Sequence, residues 1–521
     1  MGEKLSRREF LEVLPLLLSS SFLPANYRLI SGKNSATNQP NIILILFDTL
    51  SASDLSLYGF SRNTTPKLNR FAERATVYHR HYSAGNFTSP GVASLLTGNY
   101  PWTHRAFSIG STTVKKMVGK DIFSQLDTSY SRYAFTQNHL ADLFLDQFSQ
   151  AIDLKLKVGS FANFNYSFHG NSFLKNDQVV FKSLDELLYF NQGLSGSFYL
   201  GYFVNKWINS VVERDSRQYR DSYPRGIPNH PGFNDYFLLE NAIDGSINFL
   251  QSLSSPFMVY LHFFPPHESF SLEKPYSPGN CYRPHKDFIG IFNEQIATVR
   301  KPEHYFSSHI PYETLNQLRL EYDEYIANTD AEFGRLLDYL EKAGYLDNSY
   351  VIVTSDHGQL FERGVHMHNT PLLYDPVVRV PLLISAPGQT SRSDITTPTS
   401  SVDLLPTIVR ISGREMQPDC EGTILPGFGD GSFASRNIFA VEAKTNSKFA
   451  PLTTASYMMV KDRYKLIHYS GYPGSYQQFE LYDLENDPEE LEDISKDKLD
   501  IAKDLRAELL GKIDEVNSPF S

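Results

Sequence analysis

The stretch NIILILFD, residues 41–48, decides how this chain folds. After Asn41 every position through Phe47 is apolar, and the run stops at Asp48. A strand wetted on one face alternates apolar and polar side chains. A run that is apolar throughout suits a strand covered on both faces, as in a parallel sheet between helices. The pattern recurs three times. FMVYLH (257–262) ends in His262, YVIVT (350–354) runs into Ser355, Asp356, His357 and Gly358, and VRVPLLI (378–384) ends at Ser385. Ahead of the 350–354 run, Leu318, Tyr322, Ile326, Thr329, Phe333, Leu337 and Leu340 recur every three or four residues, which predicts a helix stopped by Gly344. These elements predict an α/β fold. They also bring Asp48, His262, and Asp356 with His357 to the carboxyl ends of strands, where open α/β sheets bind ligands. A strand-end Asp alone also fits a plain helix N-cap.

Composition narrows the class. The chain has 521 residues, 41% hydrophobic and 21% charged, with a formal net charge of −11. Those fractions exclude a disordered chain and a polytopic membrane protein. The acidic balance argues against nucleic acid as a partner. Two cysteines, Cys281 and Cys420, are too few for a disulfide framework or a four-thiolate zinc site; their pairing stays open. The first 26 residues place Arg7 and Arg8 ahead of a short apolar run, the order of an export signal of the twin-arginine type. That run is too short to span a membrane. Residues 1–25 carry three basic and three acidic side chains, so signal removal leaves the protein acidic and poorly suited to an anionic membrane surface. A linker is expected over 27–40, a catalytic domain over 41–425, and a small C-terminal α+β subdomain over 426–521. Within the second of these, the aromatic-rich stretch 158–241 reads as an insertion, with helices at 184–189 and 199–212 and another over 236–253. The last domain is expected to hold strands at 457–460, 464–469 and 479–482, then a helix over 499–516.

The nucleophile candidate lies in AGNFTSPGVASLLTG, residues 84–98. Pro90 suits the first turn of a helix, so Thr88 falls at or near its N-terminus, where amide dipoles favour negative charge. A divalent ion held by Asp48, Asp356 and His357 would lower the pKa of the Thr88 hydroxyl and neutralise the oxygens of a phosphate or sulfate. Thr88 alone also reads as an N-cap, and Ser89 is a rival nucleophile.

Here the chain resembles the sulfatase family of the alkaline phosphatase superfamily. Residues 88–98 follow the signature C-x-P-S-R-x-x-L-x-T-G, with Tyr100, Pro101 and His104 beyond it. The Asp48 strand, the histidine segment 260–267, the segment 353–358, and the segments 373–381, 401–407, 463–467 and 480–488 follow in family order. The resemblance implies an alkaline-phosphatase-like fold: a mixed, mostly parallel central sheet sandwiched by helices, with a small C-terminal α+β subdomain. It implies one divalent metal ion (Mn, Zn, Mg or Ca) on Asp48, Thr88, Asp356 and His357. It makes His267 a candidate general acid and sets His368 on the substrate anion. His262, His366, Asn138 and His139 are expected on the substrate side.

The departures matter as much. Family sulfatases use a formylglycine made from Cys or Ser, and Thr88 cannot become that aldehyde. The signature Arg is Val92, a second Asp after the first strand is Thr49, and the familiar Gly-Lys segment has no match near Asn138 and His139. No formylglycine is therefore expected. The pattern points to relatives with a plain Thr nucleophile, such as lipoteichoic-acid synthases and phosphodiesterases. The leading expectation is hydrolysis of phosphate mono- or diesters, or phosphoglycol-type transfer, outside the cytoplasm. Sulfate-ester hydrolysis without formylglycine is the alternative, and a non-catalytic envelope- or glycan-binding protein is the third. The expected partner is a phosphorylated or sulfated small molecule, glycan or envelope polymer.

Overall fold

A computed structural model describes residues 39–165, 210–211, 214–229, 235–268, 282–292, 300–415, 420–429, 435–474 and 479–520. The export signal, most of the linker, the helices expected at 184–189 and over most of 199–212, and Cys281 lie outside the described residues.

Eight strands form the central sheet: β1 (Asn41–Phe47), β2 (Thr76–Tyr78), β3 (Ser131–Thr136), β4 (Leu154–Lys155), β5 (Phe257–Phe263), β6 (Ser349–Thr354), β7 (Leu382–Ser385) and β8 (Ser393–Ile395). Their spatial order is β8-β2-β7-β6-β1-β5-β3-β4. β1 is parallel to both its neighbours, β5 and β6. Its burial explains its composition. Ile43, Ile45 and Phe47 enter a core with helices α4 (Leu239–Gln251) and α5 (Tyr312–Lys342). Ile42, Leu44 and Leu46 enter the opposite core, with α2 (Thr88–Thr97), α3 (His139–Gln147) and α6 (Leu404–Ile411); a short α1 (Pro66–Ala72) precedes them in the chain. Burying one large aliphatic side chain contributes about 1.5–3 kcal/mol, so a polar residue in this strand would be costly on either face.

The expected parallel sheet holds with one correction. The 378–384 run is a strand only from Leu382 and is antiparallel to β2 and β6. Val378 ends a helical turn, Asp375–Val378, and Arg379 bridges Tyr82 before the strand begins. Both faces of β7 are covered, so its composition matches that of a parallel strand and carries no directional signal. The long helix runs from Tyr312 to Lys342, and Gly344 follows it at φ +74°. In the described part of 158–241, Tyr223, Ile227, Tyr236 and Leu238 form a small apolar cluster, and Phe161 packs on Phe135.

The C-terminal part is an antiparallel meander of β9 (Ile438–Glu442), β10 (Ala455–Lys461), β11 (Tyr464–Ser470) and β12 (Phe479–Asp483), followed by α7 (Leu499–Asn517). β9 was not expected from the sequence. Tyr457 and Met459 face α7. Met458 and Val460 face Leu372, Leu373 and Tyr374 of the larger unit. No helix of the described residues is long and apolar enough to cross a membrane.

Candidate active site

Leu46 pairs with His262 on one side and Thr354 on the other, so β1, β5 and β6 end level. The chain beyond is pinned by Asp48 N donating to Phe263 O (3.0 Å) and Leu50 N to Ser355 Oγ (2.9 Å). Thr49 adopts φ +59°, a left-handed conformation costly for a β-branched residue. Its N–H donates to Asp356 Oδ1 at 3.3 Å, so the strained turn delivers a donor to the site.

His357 organises the centre. Its Nδ1 donates to Gly358 O at 3.0 Å, which leaves the lone pair on Nε2. That nitrogen lies 3.5 Å from Asp48 Oδ1, 3.5 Å from Asp356 Oδ2 and 3.5 Å from Thr88 Oγ1. Asp48, Asp356 and His357 are fully buried, and each offers an atom within 4.8 Å of the others. Asp48 Oδ1 and Asp356 Oδ2 accept no hydrogen bond. Buried carboxylate oxygens without donors are strongly unfavourable, and a divalent cation answers all of these acceptors at once. The donor set of carboxylates, imidazole and hydroxyl fits such an ion.

The two acids are unlike. Burial opposes the charge of Asp48, yet His262, whose Nε2 lies 3.6 Å from Asp48 Oδ2, and the neighbouring His267 and His357 rings hold its carboxyl well below the usual range. Burial, and then the charge of Asp48, pushes Asp356 up to about 8.

Thr88 is the first residue of α2 and not its N-cap, which is Phe87. The Thr88 hydroxyl is 3.2 Å from Asn138 Nδ2, which also donates to Asp48 Oδ2. Ser89 Oγ is buried with no hydrogen-bond partner, so it joins no member of the cluster. The helix sits close because residue 91 is glycine; a Cβ there would lie 2.4 Å from Asp356 O.

His267 stacks on Phe264, with ring centroids 4.5 Å apart, and meets His368 at 5.1 Å; His368 lies 4.5 Å from His357. Burial lowers the pKa of both His267 and His368. His267 Nδ1 donates to Glu268 O at 2.8 Å, which frees Nε2.

Two residues expected on the substrate side, His262 and Asn138, lie within the cluster itself. His262 is enclosed, with Nδ1 3.1 Å from Tyr260 OH and Nε2 toward Asp48. Asn138 spends its Nδ2 on Asp48 and Thr88, and its Oδ1 on the α3 N-terminus. Both support the cluster from within. His139 opens α3 and is half-buried. His366 stands behind His368. Sequence reading missed Tyr260, although it shares a strand face with His262 two positions on. It also missed Asn86, whose Nδ2 donates to His368 O (2.7 Å) and Thr370 O (2.6 Å), and Gln359 and Glu268.

Residues 40–413 match the sulfatase family model, and residues 364–518 match that of the N-sulphoglucosamine sulphohydrolase C-terminal region. The chain belongs to the sulfatase family, ester hydrolases of the alkaline phosphatase superfamily that are generally metal-dependent. It is 23% identical to the uncharacterized sulfatase YidJ of Escherichia coli (strain K12) over 511 residues, covering 92% of this chain and 88% of that protein. The structure of BT4656 in complex with its substrate D-glucosamine-2-N,6-O-disulfate superposes with a TM-score of 0.62 at 18% identity, over 92% of this chain and 98% of that one. The phosphonate monoester hydrolase SpPMH from Silicibacter pomeroyi gives 0.60 at 18% identity, over 92% and 96%. At these identities the two structures establish the fold alone.

Proposed function

We propose that this chain hydrolyses phosphate mono- or diesters, or transfers a phosphoglycol-type group, with the unmodified hydroxyl of Thr88 as nucleophile. One observation carries the reading: at the start of α2, Thr88 Oγ1 lies 3.2 Å from Asn138 Nδ2 and 3.5 Å from His357 Nε2. A divalent ion bound at Asp48, Asp356 and His357 supplies positive charge for the nucleophile and the ester oxygens. Asn138 holds the Thr88 oxygen, and the α2 N-terminus favours charge developing on the ester. Thr88 Oγ1 loses its proton and forms the bond to phosphorus as the bond from phosphorus to the leaving oxygen breaks, and His267 Nε2, whose lone pair is free, takes up that proton and passes it to the leaving oxygen. His368 faces the same space. Water, or an acceptor alcohol, then releases the phosphoryl group from Thr88. Thr88→Ala should lower turnover of an activated aryl phosphodiester at least about 10³-fold, in the range seen when a catalytic residue is lost, while bound metal changes little. Full activity in that variant rejects the assignment.

Sulfate-ester hydrolysis is the second reading, favoured by the sulfatase family match and the similarity to YidJ. Turnover of aryl sulfate against aryl phosphodiester decides between them. A sulfated or phosphorylated glycan or envelope polymer is the substrate class proposed. Export by the twin-arginine route rests on Arg7 and Arg8. Replacing both with Lys should leave the protein in the cytoplasmic fraction, and unchanged export would refute that route.

A further inference from the structure

Three consecutive carbonyls beside the centre are held from two distant parts of the chain. Asn86 Nδ2 donates to those of His368 (2.7 Å) and Thr370 (2.6 Å), and Lys444 Nζ donates to that of Asn369 between them. Lys444 stands just past β9, so the C-terminal meander brings a cation to the segment that carries His368. The Lys444 side chain is 29% exposed, while His368 is 6% exposed. The ammonium therefore lies at the rim of the site and the imidazole within it.

The loop that follows holds this lysine in place. Arg105 is 1% exposed, and its guanidinium donates to Lys448 O (3.0 Å), Ser447 O (3.2 Å) and Ala450 O. Asn446 Nδ2 donates to Ala443 O (2.9 Å) and Thr454 O (2.6 Å), and Ser108 Oγ donates to Lys444 O (3.0 Å). An ammonium has three donors. Asn369 O takes one, and among the described residues the only carboxylate oxygen within 4.0 Å, Glu442 Oε1, is 3.8 Å away, too far for a normal hydrogen bond. Two donors remain for a ligand. The centre itself has no such cation. Among the described residues the polar partners of Asp48, Thr88, Asp356 and His357 are histidines, amides, hydroxyls and backbone groups, with no Lys or Arg.

We propose that Lys444 is a specificity-determining residue that pairs with a second acidic group of the substrate, a carboxylate, sulfate or phosphate carried on the arm beside the ester to be cleaved. The C-terminal meander thereby completes the substrate site. This role rests on the reading of the space before Thr88 and His368 as the ester site, and the two can fail separately.

Two aryl phosphodiesters are compared on the metal-loaded protein, alike except that one carries a carboxylate on its second arm. Lys444→Gln keeps a donor for Asn369 O and removes the charge. The ratio of kcat/KM, acidic ester over neutral ester, should fall about 10- to 100-fold, the scale of one hydrogen bond to a charged group, and Lys444→Arg should keep most of the ratio. Rising salt should lower the wild-type ratio and leave that of Lys444→Gln nearly flat. If Lys444→Gln slows both esters by the same factor, Lys444 serves only to hold Asn369 and the proposal is overturned. Calorimetry of the same two esters on metal-loaded Thr88→Ala gives the preference without turnover. An acidic ester that binds there no more tightly than the neutral one overturns the proposal too. A fully active Thr88→Ala, or turnover of aryl sulfates in place of phosphodiesters, rejects the nucleophile or the phosphate reading and leaves the acidic-to-neutral ratio to decide the role of Lys444.

Discussion

The two ends of the Asn138 amide serve different partners. Oδ1 accepts from Leu140 N (2.7 Å) and Ala141 N (3.3 Å) at the start of α3, while Nδ2 donates to Asp48 and Thr88. The helix cap thus settles which way the amide points. Asn138→Asp retains the capping oxygen and replaces the donor with a second carboxylate against Asp48. It should lower kcat by about 10²-fold or more, and the repulsion between two buried carboxylates should lower the thermal midpoint as well. Asn138→Ala loses the cap as well, at about 1 kcal/mol of stability. If Asn138→Asp matched the wild type in turnover, the donated bonds would have no catalytic part.

Among elements, α2 depends most on one position. Gly91 lets its first turn lie against the backbone of Asp356, which would be 2.4 Å from a Cβ there. Gly91→Ala should therefore separate the Thr88 helix from the end of β6. We expect about 1–3 kcal/mol of destabilisation, together with metal affinity reduced more than in a surface substitution of equal stability. Calorimetry of metal binding checks this, and unaltered affinity would show that the close approach is only packing. The same elements show what the sequence made legible. β1 could be read because both its faces are buried, so composition alone announces it. The order Asp48, Thr88, Asp356 and His357 could be read because a strand end, a helix start and a family pattern agree. The supporting role of Asn138 could not, since its partners lie 90 and 50 positions away in the chain. β7 lost its direction for a physical reason, as covered strands look alike either way. β9 is a five-residue strand whose pairing with β10 and contact with Ala84 come from distant chain.

For the whole molecule, the C-terminal meander is fastened to the larger unit beside the active-site loops. Val441 N donates to Ala84 O at 2.9 Å, four residues before Thr88. Lys465, fully buried, reaches from β11 to Asp375 (2.8 Å) and Glu490 (2.7 Å). Arg379 Nε adds a second cation 3.3 Å from Asp375, while Glu490 relies on Lys465 and the Asp375 N–H. Burial is the largest influence on Glu490 and raises its pKa to about 7, Asp375 adds to the rise, and Lys465 opposes it. A carboxyl whose folded pKa lies above its unfolded value contributes stability that is complete below the unfolded pKa, near 4.5, and lost as pH rises through about 7. The junction should therefore weaken between pH 5 and pH 8. Glu490→Gln should flatten that part of the stability profile in chemical denaturation; an unchanged slope would assign the pH dependence to other groups.

The position of β1 also bears on how the protein is made. β1 leaves the ribosome first among the described strands, yet its partners are residues 257–263 and 349–354. At about 5–20 residues per second, roughly 15–60 s of synthesis separate the strand from its second neighbour. Both edges of the most apolar strand of the sheet are open until residues 257–263 are made, and one edge stays open until 349–354 follow, a template for unwanted pairing. Folding of this chain is thus a waiting problem, in which the fate of the nascent chain depends on what shields residues 41–47 until the sheet can close around them.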